Sequence, residues 1–282
     1  MLFRSTLRQT HGTEGAVAVR AGGVRALWAG NPQSVVQRGL LSARSSSWTV
    51  VLSGFFEPVF YLASMGIGLG ALIGDVETTG GAQVSYAAFI APALLATSAM
   101  NGAIYDSTWN VFFKLNYGKL YEGMLATSLG PLDVALGEIL YAMLRGLLYA
   151  TGFMVIMQLL GLNLAWTAIL AIPAVLLIAF GFASLGMAVT SYMKTFQQMD
   201  WINFVLLPMF LFSATLYPIT VYPEWIQHII MAFPLWHGVE LVRGLTTGIL
   251  SPAMGWHVLY YVAMIAVGLV FTAKRLRALF LD

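Results

Sequence analysis

Residues 213–227 read SATLYPITVYPEWIQ. Pro218 and Pro223 stand five apart, with Glu224 and Trp225 behind the second, and Pro234 follows eleven residues after Pro223. Upstream lies an apolar run, INFVLLPMFLFSA, and further downstream another, VLYYVAMIAVGLVFTA. The fold turns on why so oily a chain is interrupted here. The chain has 282 residues, of which 59% are hydrophobic and 9% charged, whereas a soluble domain carries roughly 25% charged residues. Its mean hydropathy is +0.79. So little charge cannot cover so much apolar surface in water, and the reading is an all-α polytopic membrane protein.

A bilayer core about 30 Å thick needs roughly 20 helical residues. Six stretches qualify, near 49–73, 84–104, 136–160, 167–191, 202–219 and 255–273. The second is the weaker, being rich in alanine. Lys and Arg in the flanking segments set orientation. Residues 1–48 carry Arg4, Arg8, Arg20, Arg25, Arg38 and Arg44, while the next loop carries Asp75 and Glu77 and no base. Lys114 and Lys119 follow the second stretch, Lys194 the fourth, and Lys274, Arg275 and Arg277 end the chain. Base-rich and base-poor segments alternate, as both termini inside require. Arg243 alone breaks the pattern. The opening stretch then falls outside.

Residues 1–27 read as a basic mobile arm and 28–282 as a single membrane domain. The arm has no apolar run of the kind a signal peptide needs. Between Trp28 and Trp48, Val35, Val36, Leu40 and Leu41 alternate with Arg38 and Arg44. That pattern fits a helix lying in the inner interface with its bases toward lipid phosphates; a disordered arm that only enforces topology is the plainer alternative.

There is no GxxxxGK[ST], HExxH or GxSxG, and there is no cysteine. SYMK at 191–194 lacks the companion motifs of the penicillin-binding enzymes. His228, His237 and His257 lack ligand spacing. No catalytic residue, metal site or cofactor site is therefore assigned, and the chain reads as non-enzymatic. Two charges fall inside apolar stretches, Glu57 and Arg145, at matching depths. Each is costly there, about 2.5–3.5 kcal/mol on insertion scales, so a Glu57–Arg145 pair is expected. It would serve as a packing lock between two spans or line a substrate path; snorkelling of Arg145 to the inner surface is the third option. Gly66, Gly70 and Gly74 recur every fourth residue and form a ridge for close helix approach.

The long inner loop holds KLYEGMLAT, a short helix with Leu120 and Met124 on one face and Lys119 and Glu122 elsewhere, ended by the Gly-Pro before Leu132. The outer segment YPITVYPEWIQHIIMAFPLWHGVELVRGLTTGIL is too polar for a span. Pro223 suits the start of one helix, with Glu224 favourable behind it, and Pro234 closes it before a second. Trp225 and Trp236 suit the interface. A broken helical hairpin dipping into the outer leaflet results, its irregular backbone covered by protein or facing water.

FSATLYP, PEW and PLWHGVELVRG in that order resemble the exit region of the ABC type-2 exporter permeases. The EP of the first span with its glycine-rich end, and GEILYAMLRG in the third, are similar to the nodulation-protein-J branch of lipo-oligosaccharide exporters. The likeness covers about residues 30–275. It implies six spans in the bacterial inner membrane and a second permease subunit, identical or closely related. It implies two cytosolic ATP-binding subunits that carry ATP and Mg, membrane lipid as surroundings, and no nucleic acid. It further implies that residues 114–131, with Lys114, Tyr117, Lys119, Leu120, Tyr121, Glu122, Met124 and Pro131, seat on the ATPase. Tyr217, Pro218, Pro223, Glu224, Trp225, Pro234, His237, Glu240 and Arg243 would form the outer lid. The cargo would be a lipid-linked glycan, a lipo-oligosaccharide or a drug. The alternatives are an ion-coupled secondary transporter, for which no inverted repeat is visible, and a non-transporting assembly factor.

Overall fold

The computed structural model describes residues 28–44, 56, 58–78 and 81–280. The expected N-terminal arm, the first part of the expected first span and Glu57 lie outside them. Helix α1 is Pro32–Arg44, in the region where the alternating pattern pointed to a helix. Helix α2, Pro58–Ile73, contains a π-helical stretch, Leu62–Leu69. Gly66 and Gly70 pack toward Ala87 and Tyr86, whereas Gly74 takes φ +75° and ends the helix. The glycine ridge is thus two residues long, because the third is used for a left-handed turn that glycine alone enters cheaply. A hairpin follows that the sequence reading did not foresee: β1, Asp75–Glu77, pairs antiparallel with β2, Gln83–Ser85, with Val76 opposite Val84.

Helix α3 starts at Tyr86, capped by Ser85 Oγ accepting from the Ala88 N–H at 3.3 Å. It runs on through two π-helical turns to Asn116, about twelve residues past the expected end of the second span. Asp106, Ser107 and Thr108 are buried in that extension, so a segment expected to be loop is helix packed on its neighbours. The alanine content that weakened this stretch as a lipid-facing span is what lets it sit at the centre. Ala91, Ala93, Ala96, Ala99 and Ala103 are fully buried, and short side chains let flanking backbones come close. Around α3 pack α2, α5 (Pro131–Leu159), α6 (Ala171–Thr190, entered by a 3₁₀ turn at Trp166–Leu170) and α9 (Pro234–Thr247).

Between α3 and α5 lies the short helix α4, Leu120–Leu125. Helix α7, Asp200–Phe212, is shorter than the expected fifth span. The backbone turns at Ala214, φ +53°, while Ser213 Oγ donates to the Met209 carbonyl at 2.5 Å and Thr215 Oγ1 to that of Phe210 at 2.6 Å. Helices α8 (Glu224–Met231), α9 and α10 (Ala253–Phe280) complete the chain. Among the described residues four helices are long and apolar enough to cross a membrane, within Tyr86–Asn116, Pro131–Leu159, Trp166–Thr190 and Ala253–Leu279. Helices α6 and α10 lock together through glycine: a Cβ on Gly268 would come within 2.7 Å of the Ser184 backbone, and one on Gly181 within 2.7 Å of the Tyr261 ring.

Candidate functional site

A cleft of about 760 Å³ opens between α2, α3, α5 and α7. Apolar and aromatic residues form most of its wall, and Thr97, Ser98, Asn101 and Asn203 add polar groups. The rings of Tyr61 on α2 and Phe210 on α7 meet edge to face at 6.0 Å along this wall. Arg145 reaches the cleft from α5. Its Nη1 donates to Asp106 Oδ1 at 2.6 Å and its Nε to the Tyr149 hydroxyl at 2.9 Å. Asn110 Nδ2 donates to the same Asp106 oxygen at 2.5 Å. The Asp106 side chain is 3% exposed and that of Arg145 19%. A carboxylate so placed is tolerable only because a cation and an amide answer it.

The expected Glu57–Arg145 pair cannot be followed, since Glu57 lies outside the described residues. Arg145 is held by Asp106. That partner was missed because the reading ended the second span before it. The Asp-x-x-x-Asn spacing of Asp106 and Asn110, one helical turn, was the available signal.

Further along the C-terminal part of α3, Lys114 Nζ meets Glu138 Oε2 of α5 at 2.6 Å. Tyr117 is exposed. Lys119 precedes α4 in a left-handed conformation, φ 45°, which costs a non-glycine residue about 1 kcal/mol or more. Tyr121 and Met124 turn inward and Leu120 is half-buried, while Lys119 and Glu122 face outward. Gly130 caps α5 and Pro131 is its first residue. Asp133, fully buried, accepts from the N–H groups of Ala29, Gly30 and Asn31 at 2.7, 3.0 and 3.0 Å and of Gly130 at 2.9 Å. One carboxylate therefore caps α5 and binds the chain entering α1. Val35 of α1 packs where a Cβ on Gly137 would stand.

The segment after α7 divides as its prolines foretell. Pro223, expected as the first residue of its helix, takes the cap position instead, so α8 begins one residue later at Glu224, and Pro234 is the first residue of α9. Tyr217, Glu224 and Trp225 are exposed and Pro218 is half-buried. His237 and Arg243 are buried. Arg243 Nη1 bonds Glu240 Oε1 at 2.6 Å, Nη2 donates to the Ala214 carbonyl at 2.8 Å and Nε to that of Phe89 at 3.3 Å. Its guanidinium also lies over the Phe89 ring at 4.0 Å. This is why Arg243 stands apart from the charge alternation: its charge is spent inside the fold. From α10, Tyr260 and Tyr261 donate to the carbonyls of Ala232 and Pro234, at 3.0 and 2.8 Å, fixing the bend between α8 and α9. His237 Nδ1 lies 2.7 Å from His257 Nδ1. Burial, and the His257 ring beside it, lower the His237 imidazole to about 4. A cavity of about 530 Å³ adjoins this pair. His257, Tyr260 and Tyr261 were not assigned to the lid from sequence.

A family model described as ABC-2 type transporter matches residues 33–246, from α1 to the end of α9. The chain belongs to the ABC-2 type transporter family. It is 31% identical over 231 residues to Nodulation protein J of Rhizobium leguminosarum bv. viciae, covering 81% of this chain and 85% of that one. It is 33% identical over 215 residues to Nodulation protein J of Bradyrhizobium diazoefficiens, covering 76% and 80%. Over 227 residues it is 29% identical to that of Rhizobium meliloti, covering 80% and 84%. These relatives support the Nodulation-protein-J-like branch of the ABC-2 permeases. The family implies a transporter membrane subunit rather than a catalytic enzyme.

Proposed function

We propose that this permease is the membrane subunit of an ATP-driven exporter that moves an amphipathic molecule outward across a bacterial inner membrane. In this reading six segments span the bilayer, α2 and α7 being the two short ones, and both termini lie in the cytosol. Two such chains, or one and a close relative, pair with two ATP-binding subunits. Helix α4 meets the ATPase with Lys119 and Glu122 outward, and residues 218–245 form the re-entrant lid. ATP binding then shifts the permease between states through differential contacts at that junction. The cargo is a lipo-oligosaccharide, another lipid-linked glycan or a drug, the first being favoured by the likeness to Nodulation protein J.

The observation that carries the reading is the cleft, with its mostly apolar wall and the Arg145–Asp106 pair reaching it. Such a wall receives an acyl or other apolar portion, while asparagine, hydroxyl and guanidinium groups meet a polar one. The test is co-expression with a candidate ATPase from the same genome, purification of the assembly, and measurement of ATP hydrolysis and of vesicle uptake of labelled lipo-oligosaccharide. Stimulated, ATP-dependent uptake is expected. Uptake driven by an ion gradient without any ATPase replaces this reading with the secondary-transporter one.

A further inference from the structure

We propose that Asp106 sets the specificity of the cleft. By cancelling the charge of Arg145 it turns away amphiphiles with an anionic head and leaves the cleft to those with a neutral head rich in hydroxyl or amide groups. The proposal rests on reading the cleft as the cargo site. Arg145 is the one charged side chain on its described wall. Its Nε is spent on Tyr149 and its Nη1 on Asp106, while Nη2 has no bonding partner among the described residues. Alone, such a guanidinium is a docking point for phosphate or sulfate. Asp106 removes that possibility, standing 2.6 Å away. Its Oδ1 takes the donors of both Arg145 and Asn110, and its Oδ2 is buried with no donor among the described residues. The pair is short of donors, not of acceptors. A phosphate drawn to Arg145 would leave a buried carboxylate still less well answered, which is strongly unfavourable. The next charges along the seam between α3 and α5, Lys114 and Glu138, cancel each other at 2.6 Å.

What the wall offers instead is uncharged. Ser98, Asn101 and Tyr105 stand three and four apart on α3, so they share one face, and all of them line the cleft. Ser98 is 7% exposed, and that remainder adjoins the cleft. Asn203 comes from α7, in line with Leu206, Leu207 and Phe210. Carboxamides and hydroxyls both donate and accept. They answer hydroxyl and amide groups and give no net attraction to either sign of charge, while the apolar wall takes the tail. Selection by charge has a use here. The inner leaflet of such a membrane carries anionic phospholipid in great excess over any cargo. A bare guanidinium in a cleft of this kind would hold that lipid in place of cargo.

The full chain in phosphatidylcholine nanodiscs is photolabelled with probes that share a diazirine-bearing dodecyl chain and differ only in the head: β-glucoside, phosphate or trimethylammonium. Adducts on residues 94–109 and 203–210, which include the α3 and α7 walls, are divided by those on Val262 and Val267, exposed on α10. The division cancels each probe's partition into lipid. In the parent the glucoside is expected to lead. Asp106→Asn uncovers the Arg145 charge, and the phosphate ratio is expected to rise about tenfold, part of what a unit charge at contact carries once the head has lost its water. Asp106→Leu with Arg145→Met is neutral again and is expected to label as the parent does. A phosphate or trimethylammonium lead in the parent, or equal ratios for all the heads, overturns the proposal. So does an unchanged phosphate ratio in Asp106→Asn, or one raised as much in the double variant, which would mark loosened packing instead of charge. Should Asp106→Asn fail to fold, Asn203→Lys decides, at an exposed position of the same cleft. The added cation is expected to admit the phosphate probe, and its continued exclusion overturns the proposal. Labelling needs neither ATPase nor cargo. Selective labelling without ATP-driven uptake therefore sinks the export reading alone, and ATP-driven uptake with an unselective cleft sinks only this one.

Discussion

Arg145 and Asp106 meet at 2.6 Å across the seam between α5 and α3, thirty-nine residues apart in the chain. Removing one member of so buried a pair costs about 3–5 kcal/mol, while replacing both with apolar groups of similar size is close to neutral. Asp106→Asn is therefore expected to lower the melting temperature in nanodiscs by on the order of 10 °C. Asp106→Leu with Arg145→Met is expected to recover most of that loss. A double variant as unstable as the sum of the single ones would show the pair to be no unit.

The seat of α1 on α5 is tested at Gly137. An added methyl there would lie 2.4 Å from Val35 Cβ and 2.9 Å from the Pro32 carbonyl. Gly137→Ala is expected to cost about 1–3 kcal/mol as overpacking and to speed amide exchange through residues 32–44. Adding Val35→Ala removes only the Cγ1 contact at 2.8 Å and leaves the one with Cβ, so it is expected to restore little of the protection. Unchanged exchange in Gly137→Ala contradicts the packing.

Arg243 is expected to tolerate no lysine. A single ammonium cannot reach Glu240, Ala214 and Phe89 together as the planar fork does. Arg243→Lys is predicted to lose about 3 kcal/mol, read by denaturant midpoint, because buried carbonyls are left without donors. Glu224→Gln, at an exposed position, is expected to stay within about 0.5 kcal/mol.

Lys119→Ala with Glu122→Ala changes two exposed side chains of the α4 segment. Stability is expected to hold within about 1 kcal/mol, while recovery of the ATP-binding subunit in a pull-down and ATP-driven transport both fall. Normal transport by this variant removes the coupling role.

Helix starts and breaks were legible where local chemistry decides them. The breaks expected at Gly130–Pro131 and at Pro234 do separate helices, each proline standing as the first residue of the next one, and Met124 turns inward on α4, with Tyr121 rather than Leu120 fully buried beside it. What escaped depends on partners far along the chain. Asp133 meets Ala29 across 104 positions, and no period announces that. The twenty-residue gap between His237 and His257 argued against a shared site, yet α9 and α10 bring the two rings together. Asp106 was placed in a loop because charge and hydroxyls follow Tyr105, and π-helical turns that bury such residues leave no simple repeat. The central place of α3 was hidden for the converse reason: alanine, weak against lipid, packs closely at the centre of a bundle.

Asp133 has a mechanical consequence. Because this one carboxylate grips the backbone at Gly130 and at residues 29–31, the segment leading out of α4 and the segment leading into α1 share a fulcrum. A push on α4 cannot tilt α5 alone. In the proposed coupling role of α4, the N-terminal helix would move with α5, and force entering at a six-residue helix would be spread over two levers.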